Sequence, residues 1–179
     1  MTDKDIYVLA KKFRRAIENA RDNHMFKNDL TFDDFPNWCC RDASLLLAEY
    51  LRHYDINTIY VWGTDDTGQT HGWLVLKDER VNGPTVHNVN LPNSIIDILK
   101  GYSNNRFDAP IENIYYDEED ILEGMIIDIT AEQFDDVPIY MGYMDEVHAR
   151  FSFESANDYH RLGDYRLNEL YRIIISYLH

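Results

Sequence analysis

The sequence predicts an α+β domain in which a cysteine-bearing helix packs on an antiparallel sheet, flanked by an N-terminal and a C-terminal helix. Apolar residues recur at three- and four-residue steps after Cys40 and near both ends of the chain, which is typical of amphipathic helices. Two β-rich runs, 56–63 and 70–77, enclose the turn-forming stretch 65–69 and indicate a hairpin. With 179 residues and 45% hydrophobic content, the chain is predicted to form a single domain, 1–179.

The two terminal helices have clear amphipathic patterns. Thr2 can cap the first helix, with Asp5 as its capping-box partner. The apolar stripe of this helix consists of Ile6, Leu9, Phe13, Ile17 and Ala20. A closing helix is predicted over 164–178, where the apolar stripe consists of Leu167, Leu170, Tyr171, Ile174 and Tyr177.

The central helix begins at a pair of cysteines. The stretch 28–36 is predicted to be a loop, and Pro36 disfavours helix at the residue before it. After Cys39 and Cys40 the helical repeat runs through Ala43, Leu46, Leu47, Tyr50, Leu51 and Tyr54. A helix N-terminus stabilises a thiolate through its partial positive charge and its unpaired N–H groups. A cysteine at this position is therefore a candidate nucleophile.

A histidine and an aspartate follow in two predicted strands. His71 stands at the start of the second β-rich run, and imidazole can act as general base and acid near neutral pH. The run 125–127 predicts a further strand that leads into Asp128. If the two strands are neighbours, Asp128 can accept a ring N–H of His71 and orient it towards Cys40, as in a nucleophilic triad. Each residue also has a structural interpretation, as a small buried hydrophobe, strand packing or a turn residue.

The segments "CRDASLLLAEYL", "HGWLVL" and "IDIT" resemble the transglutaminase-like branch of the papain-fold cysteine enzymes. The resemblance covers roughly residues 35–134. It implies a papain/transglutaminase-like core with Cys40 as nucleophile, His71 as base and Asp128 as orienting acid. The function it implies is a cysteine-nucleophile amide hydrolase, peptidase or deamidase-like, that works through a thioester. A transglutaminase-type acyltransferase and a catalytically inactive binding protein on the same fold are the alternatives.

The chain departs from the family pattern in three places. Gly72 stands where the family usually has alanine, and Ile129 where it usually has proline. The distance along the chain from the histidine to the aspartate implies an insertion, placed at 78–124. Within it, Asp97 has a setting much like that of Asp128, IIDIL against IIDIT, and is the alternative third member of the triad.

Acyl chemistry also requires an oxyanion hole. The backbone N–H of Cys40 can supply one donor at the start of its helix. By residue type, the candidates for a second donor are Asn37, Trp38 and Gln133. Trp38 and Trp73 are candidates for the walls of the cleft, although aromatic residues in such positions are as often plain core.

The charge and composition of the chain limit the classes of molecule that it is expected to bind. A net charge of −15 argues against nucleic acid. No Lys or Arg occurs between Phe107 and Val147, where acidic residues are dense. This stretch is either a solvated acidic face or a rim that attracts a cationic substrate or a basic partner. The expected substrate is a peptide, a protein or a small amide.

Other classes of site and location find no support in the sequence. No apolar stretch approaches the ~20 residues of a membrane helix, so no membrane partner is expected. The charged N-terminus and two adjacent cysteines without a disulfide framework favour a cytoplasmic location. No H-x-x-H, H-E-x-x-H or glycine-rich nucleotide motif occurs, and neither a metal nor another cofactor is expected.

Overall fold

A computed structural model describes residues 2–77, 85–86, 114–115, 121–158 and 161–178. The helices are α1 (Asp3–Asp22), α2 (Leu30–Asp33), α3 (Cys40–Arg52) and α4 (Tyr165–Ile175). The strands are β1 (Thr58–Thr64), β2 (Thr70–Leu76), β3 (Thr85–Val86), β4 (Ile114–Tyr115), β5 (Ile126–Asp128), β6 (Tyr140–Gly142) and β7 (Ser152–Asp158). Single turns of 3₁₀ helix lie at Ala131–Gln133 and His148–Arg150.

Five of the strands form one antiparallel sheet in the order β6-β5-β2-β1-β7, while β3 and β4 pair separately. The predicted hairpin is confirmed as β1 and β2, with Val61 opposite Trp73. Strand β2 has β1 on one side and β5 on the other, so the strands that carry His71 and Asp128 are neighbours. The predicted α+β class, with the cysteine helix on an antiparallel sheet between terminal helices, is confirmed.

The sheet separates two apolar clusters. Helix α3 packs on β1 and β2, and α1 and α4 pack against it. Leu74 and Leu76 of β2 belong to the cluster on the helix side. Trp73 and Val75, which alternate with them, belong to the second cluster together with Phe151. None of the helices in the described segments combines the length and apolarity that a bilayer crossing requires.

Helix α1 begins at the predicted cap. The Thr2 hydroxyl accepts the Asp5 N–H at 3.3 Å, and the Asp5 carboxylate accepts the Thr2 N–H at 2.9 Å. The prediction of a capping box is therefore confirmed. The predicted closing helix is confirmed as well, because α4 lies within 164–178.

A buried arginine ties α1 to the segment that follows β5. Arg14 is only 4% exposed. Its guanidinium donates to the carbonyl oxygens of Ile129 and Pro138 and to the carboxylate of Glu132. A buried charge needs such partners, because its desolvation is otherwise costly. The first helix and the chain just after Asp128 are thus held together by one side chain.

The fold differs from the sequence expectation in two places. The stretch 28–36 is not all loop, because the Asp29 carboxylate accepts the Phe32 N–H at 3.2 Å and caps the short helix α2. Strand β7 was not predicted, since its polar sequence has no apolar alternation. Most of the proposed insertion at 78–124 lies outside the described residues, and so does Asp97.

Candidate active site

The centre of the candidate site is a buried pair formed by His71 on β2 and Asp128 at the end of β5. Leu74 and Ile127 are paired across the two strands, which sets the register. Nε2 of His71 lies 2.7 Å from Oδ2 of Asp128, and neither side chain is exposed to solvent. The predicted contact between this histidine and this acid is confirmed as a hydrogen bond.

Thr130 holds the other oxygen of the Asp128 carboxylate. The backbone N–H of Thr130 donates to Oδ1 at 2.7 Å, and its hydroxyl donates to the same atom at 2.8 Å. Aspartate readily makes such local bonds where a strand ends and the chain turns. Because both bonds from Thr130 go to Oδ1, Oδ2 remains available to His71.

The pair is charged at neutral pH. Burial alone would raise the pKa of Asp128, but the positive charge of His71 and hydrogen bonds from His148 and His71 hold that pKa well below its usual range. Burial alone would lower the pKa of His71, but attraction to Asp128, its hydrogen bond and the Cys40 side chain raise it to about 9. The pair is therefore an imidazolium next to a carboxylate.

Cys40 lies beside this pair. It is the first residue of α3 and is half-buried. Its side chain is close enough to His71 to contribute to the raised pKa of that ring. The contact falls short of a formed hydrogen bond, because Nδ1 of His71 has no hydrogen-bond partner among the described residues. The Cys40 side chain therefore influences the imidazole, with no hydrogen bond between the two in the described part of the chain.

The neighbouring cysteine has a different environment. Cys39 is the N-cap residue of α3 and is buried, and its thiol donates to the carbonyl oxygen of Pro36 at 3.1 Å. Burial is the main reason why the pKa of the Cys39 thiol is raised far above its usual range. A buried thiol of this kind is unreactive.

The loop before α3 contains two of the predicted cleft residues, Asn37 and Trp38, and is bonded to a third, Gln133. Trp38 is 84% exposed and has φ 60°, a left-handed conformation that is rare for a bulky residue. Its N–H donates to Oε1 of Gln133 at 3.2 Å, and Nε2 of Gln133 donates to the carbonyl oxygen of Thr130 at 3.3 Å. Asn37 is exposed, and its backbone N–H donates to Asp34. Gln133 thus connects the cysteine loop to the Asp128 segment.

Trp73 lies on the buried side of the site. It is 2% exposed and packs beside His71, with 5.7 Å between ring centroids. It also meets His148 edge to face at 5.1 Å. Its indole N–H has no partner within the described segments. Trp73 is therefore part of the apolar wall behind the histidine and does not line an open cleft.

Tyr60 is a residue near the thiol that the sequence analysis did not consider. A Cβ added at Gly72 would lie 2.4 Å from the Tyr60 hydroxyl oxygen, so that hydroxyl occupies the space beside the residue after His71. Burial, and then the charge of Cys40, raise the pKa of Tyr60, which shows that the phenol and the thiol interact. The hydroxyl makes no hydrogen bond to any residue that the structure describes. Tyr60 therefore offers a free donor close to Cys40.

His148 and Asp145 extend the buried cluster. His148 is 1% exposed; its Nδ1 lies 2.6 Å from Asp145 Oδ1, and its Nε2 lies 3.4 Å from Asp128 Oδ2. One ligand atom from each of His71, Asp128 and His148 lies within 4.8 Å of the others, so these three residues are the described ones that could hold a metal ion. The only signal in the sequence was an aspartate three residues before a histidine, which is too common to single out.

An open cleft of about 640 Å³ lies next to the start of α3. Its lining includes the exposed side chains of Leu30 and Trp38, and Arg41, which follows the candidate nucleophile. Across the cleft, Arg166 of α4 bridges the carboxylates of Asp29 and Asp42, at 2.6 Å from each. The cleft therefore combines apolar surface with groups of both charges.

The chain has no match among the known protein families, the curated proteins or the solved structures compared with it. The chemistry of the site therefore has to be argued from its own geometry. A buried imidazolium–carboxylate pair beside a half-buried thiol can stabilise a thiolate and supply a proton to a leaving group.

Proposed function

We propose that this protein is a cysteine-nucleophile amide hydrolase, with Cys40 as nucleophile, His71 as acid and base, and Asp128 as the group that orients His71. The observation that carries the proposal is the buried 2.7 Å bond between His71 and Asp128, with the Cys40 side chain acting on the same imidazole. In such a triad the acid fixes the ring and stabilises its charged form. A histidine that only packs in the core needs neither an orienting carboxylate such as Asp128 nor the influence of a thiol such as that of Cys40.

The proposal includes a papain/transglutaminase-like core. The motif resemblance implies a helix that begins at the nucleophile and packs on the sheet that bears the base and the acid, and α3 packs on β1 and β2 of that sheet. The departure at Gly72 has a local explanation, because the Tyr60 hydroxyl fills the space that an alanine methyl would need. Tyr60 and Gly72 therefore depend on each other, because the tyrosine hydroxyl takes the space that a larger residue at position 72 would need.

The first half of the reaction forms a thioester. The Cys40 thiolate attacks the amide carbonyl carbon, a C–S bond forms, and the carbonyl electron pair moves onto oxygen. Nδ1 of His71 then donates its proton to the amide nitrogen, the C–N bond breaks, and the amine leaves. During these steps Nε2 of His71 stays bonded to Asp128, which stabilises the positive charge on the ring.

We propose two groups as the donors that stabilise the oxyanion. The Cys40 backbone N–H is at the first turn of α3, where helical N–H groups have no intrahelical partner. The Tyr60 hydroxyl is the second candidate, because it interacts with Cys40 and is free within the described part of the chain. Gln133 is less suited, since its amide already bonds the Trp38 N–H and the Thr130 carbonyl.

The second half of the reaction consumes the thioester. Water attacks the acyl carbon while His71 takes its proton, the C–S bond breaks, and the thiolate and imidazolium are restored. If an amine took the place of water, the same steps would give acyl transfer. We favour hydrolysis, because water is always available as the second substrate.

The substrate that we propose is a peptide, a protein side chain or a small amide that binds in the cleft beside α3. Trp38 and Leu30 offer apolar contact in this cleft, which is also lined by Arg41, the residue after Cys40. Whether a cationic group is preferred depends in part on acidic residues of the 107–120 stretch, which lie outside the described residues. The cationic substrate therefore stays a prediction.

The first experiment asks which thiol reacts. A limited reaction with iodoacetamide at pH 7.5, followed by peptide mapping, should modify Cys40 much faster than Cys39. The reason is that Cys39 is buried and bonded to Pro36, while Cys40 is accessible and lies beside an imidazolium. His71→Gln should slow the reaction at Cys40. Faster modification of Cys39, or no effect of the His71 change, would contradict the proposed nucleophile.

The second experiment asks which reaction follows. Dimethylcasein is incubated with the protein, and three products are measured: released ammonia, new peptide N-termini and incorporated dansylcadaverine. New N-termini report peptide hydrolysis, and incorporated dansylcadaverine reports acyl transfer. Because acyl transfer from a glutamine side chain also releases ammonia, ammonia measured without added amine reports side-chain deamidation. Cys40→Ala should abolish whichever product appears, and Cys39→Ala is the matched control that should retain it. A product that survives Cys40→Ala would exclude the proposed mechanism.

A further inference from the structure

The three most exposed large apolar side chains of the described segments occur around the cleft at the start of α3. Leu30, Trp38 and Tyr165 are 83%, 84% and 81% exposed, and the next in order is Tyr143 at 50%. Single exposed apolar residues are ordinary, but several of them at a concave site mark a binding surface. The surface around this cleft is therefore a candidate recognition site.

Ion pairs bring these side chains together. Arg166 of α4 bonds Asp29, the N-cap residue of α2, and Asp42 in the first turn of α3. Leu30 directly follows Asp29, and Tyr165 directly precedes Arg166. The first turns of three helices are thus joined by one guanidinium, and the cleft lies among them.

The backbone of Trp38 is strained although its side chain gains no burial. Its φ of 60° is rare for a bulky residue, and its N–H is held in place by Oε1 of Gln133 at 3.2 Å. Strain that brings no packing in return is typical of residues that act on a ligand. Trp38 comes two residues before Cys40, so a group that packs on the indole is bound close to the start of α3.

Arg41 is the charged residue of the cleft whose hydrogen-bond donors remain open. Arg166 is occupied by Asp29 and Asp42, at 2.6 Å from each. Arg41 is exposed, lines the cleft and makes no hydrogen bond or ion pair with any residue that the structure describes. Its guanidinium has five N–H donors in a fork that matches a carboxylate. The two arginines and two aspartates of the lining sum to zero, so an added carboxylate meets no excess of negative charge.

The charge of Arg41 also acts within the candidate active site. Burial, and then the charge of Cys40, raise the pKa of Tyr60, while the positive charge of Arg41 partly lowers it again. The guanidinium and the thiol therefore act on the same phenol. A ligand held by Arg41 is thus held beside the residues proposed for the reaction.

We propose that this cleft binds a polypeptide segment in which a large apolar side chain stands next to an acidic one. The apolar side chain packs on Trp38 and Leu30, and Arg41 binds the carboxylate. The inference rests on the proposed function in one respect, namely that the bound segment is the substrate of Cys40. Because Trp38 precedes Cys40 and Arg41 follows it, the backbone of the bound segment lies at the start of α3.

Two rival occupants predict other results. The acidic stretch between Phe107 and Val147 favours a cationic substrate. A second copy of this chain would also cover the exposed apolar side chains, but each copy has a net charge of −15, and two such chains repel each other. We therefore favour a substrate segment, and the experiments separate the three occupants.

The first test is peptide binding to Cys40→Ala of the full chain, labelled with nitrogen-15, in which no turnover takes place. Backbone amide shifts are followed during titration with acetyl-Gly-Glu-Phe-Glu-Gly-amide, which has an acid on each side of the ring. The amides of the cleft lining, 28–31, 38 and 41–42, should move. Shifts confined to other parts of the chain would contradict the proposed site.

Matched peptides test each half of the recognition. The uncharged glutamine analogue should bind roughly three- to fivefold more weakly, as expected for the loss of one exposed ion pair. The analogue with serine in place of phenylalanine should bind roughly tenfold more weakly, because apolar burial is lost. The lysine analogue should bind most weakly of the charged peptides. If it binds as tightly as the glutamate peptide or more tightly, the carboxylate preference is wrong.

Arg41→Gln tests the source of the charge preference. In this variant the glutamate and glutamine peptides should bind equally, because no open guanidinium remains in the cleft. Arg15→Gln is the matched control: Arg15 is an exposed residue of α1, has no partner among the described residues and does not line the cleft. A preference for glutamate that survives Arg41→Gln would refute the role of Arg41.

Trp38→Gly tests the apolar contact without strain on the backbone, since glycine adopts a positive φ readily. Affinity for the glutamate peptide should fall roughly tenfold, while the stability in urea should be retained. His24→Gly is the matched control, because His24 is exposed, has φ 57° and lies outside the cleft lining. Loss of stability with unchanged affinity would show that Trp38 is structural.

Two further measurements address the remaining alternatives. Acetyl-Gly-Gln-Phe with a free carboxyl end should bind more weakly than the glutamate peptide, and tighter binding would mean that a chain end is recognised in place of an acidic side chain. In sedimentation equilibrium, a dimer that dissociates in Trp38→Gly would make a second copy the occupant and overturn the proposal. Binding that depends on Trp38 and Arg41 in a protein that hydrolyses no amide would refute the proposed function alone. Hydrolysis through Cys40 without such binding would refute the recognition site alone.

Discussion

The Ser44 hydroxyl donates a hydrogen bond to the carbonyl oxygen of Gly72 at 3.2 Å, and this bond joins the helix that begins at Cys40 to the strand that bears His71. Ser44 lies one helical turn after Cys40, and Gly72 directly follows His71. Both bonded atoms are buried. The helix that begins at Cys40 and the strand that bears His71 are therefore linked by a buried contact that involves neither residue.

Removal of this bond is expected to affect stability and reactivity together. Ser44→Ala should lower the free energy of unfolding by about 1 kcal/mol, the usual value of such a bond. It should also slow the alkylation of Cys40, because the helix is less firmly held against His71. Urea unfolding and iodoacetamide kinetics measure the two effects. Ser176→Ala is the control, because Ser176 is the exposed C-cap of α4 and its hydroxyl donates within its own helix, to the carbonyl oxygen of Ile173. Equal slowing of the alkylation by the two changes would refute the assignment.

The role of Asp128 can be tested by a change of one atom. Asp128→Asn should leave the fold intact but remove most of the amide turnover, because an amide can hold the wrong tautomer of His71 and cannot stabilise its charge. In a serine triad the comparable change costs on the order of 10⁴ in rate. A smaller loss is expected here, because an imidazolium already lies beside the thiol.

The controls for Asp128→Asn are two other aspartates. Asp136→Asn changes an exposed acid on the same connection and should be silent in both turnover and stability. Asp97→Asn tests the alternative third member of the triad. If Asp97→Asn abolishes turnover and Asp128→Asn does not, the acid has been assigned wrongly although the class of enzyme can still be right.

Gly72 should not tolerate the alanine that is usual in the related motif. An added methyl would overlap the Tyr60 hydroxyl oxygen at 2.4 Å and the ring carbons behind it. Gly72→Ala is expected to lower the free energy of unfolding by roughly 1–3 kcal/mol, as overpacking does. In a Tyr60→Val background the same change should cost much less, because the space is then free. Additive effects in this double-mutant cycle would show that the two residues do not compete for it.

The buried pair should make stability depend on pH. The pKa of His71 is raised to about 9 in the folded protein and is near 6.5 when unfolded, so the folded state binds more protons between these values. Its contribution is fully present below about pH 6.5 and is lost as the pH rises through about 9. The loss should be roughly 3 kcal/mol. Urea unfolding at pH 6, 8 and 10 measures it.

The matched variant for this effect is His71→Gln. Its free energy of unfolding should change much less than that of the wild type over the same range. Asp128 acts in the opposite direction: its pKa is lowered, so its contribution is present above about pH 4 and is lost as the pH falls below that. Parallel curves for the wild type and His71→Gln from pH 6 to 10 would show that the pair is not charged.

The residues that sequence reasoning found are those with a local signature. The capping box at Thr2 and Asp5 is one, and the hairpin that presents His71 is another. Asp128 was found because its strand ends in a recognisable motif. Such signals are contained in a short window, so one sequence is enough to read them.

The residues that it missed have no such signature. His148 is a single histidine in a polar stretch. It comes close to Asp128, twenty residues away, only because the folded chain brings its 3₁₀ turn next to β5. Tyr60 has the alternation of an ordinary strand residue, and its nearness to Cys40 depends on how α3 packs. Tertiary packing decides where both side chains lie, and a short window of sequence carries no signal of that packing.

The anchor at Arg14 has a consequence for the order of folding. This side chain reaches Ile129 across 115 residues of chain, and within that loop the contact between His71 and Asp128 closes one of 57 residues. Loops of that length close late, and a chain made from its N-terminus presents Arg14, Cys40 and His71 long before their partners. During synthesis the thiol is therefore exposed without its acid and base in register. If Cys40, His71 and Asp128 act as proposed, the nascent chain should stay inactive until its last third emerges.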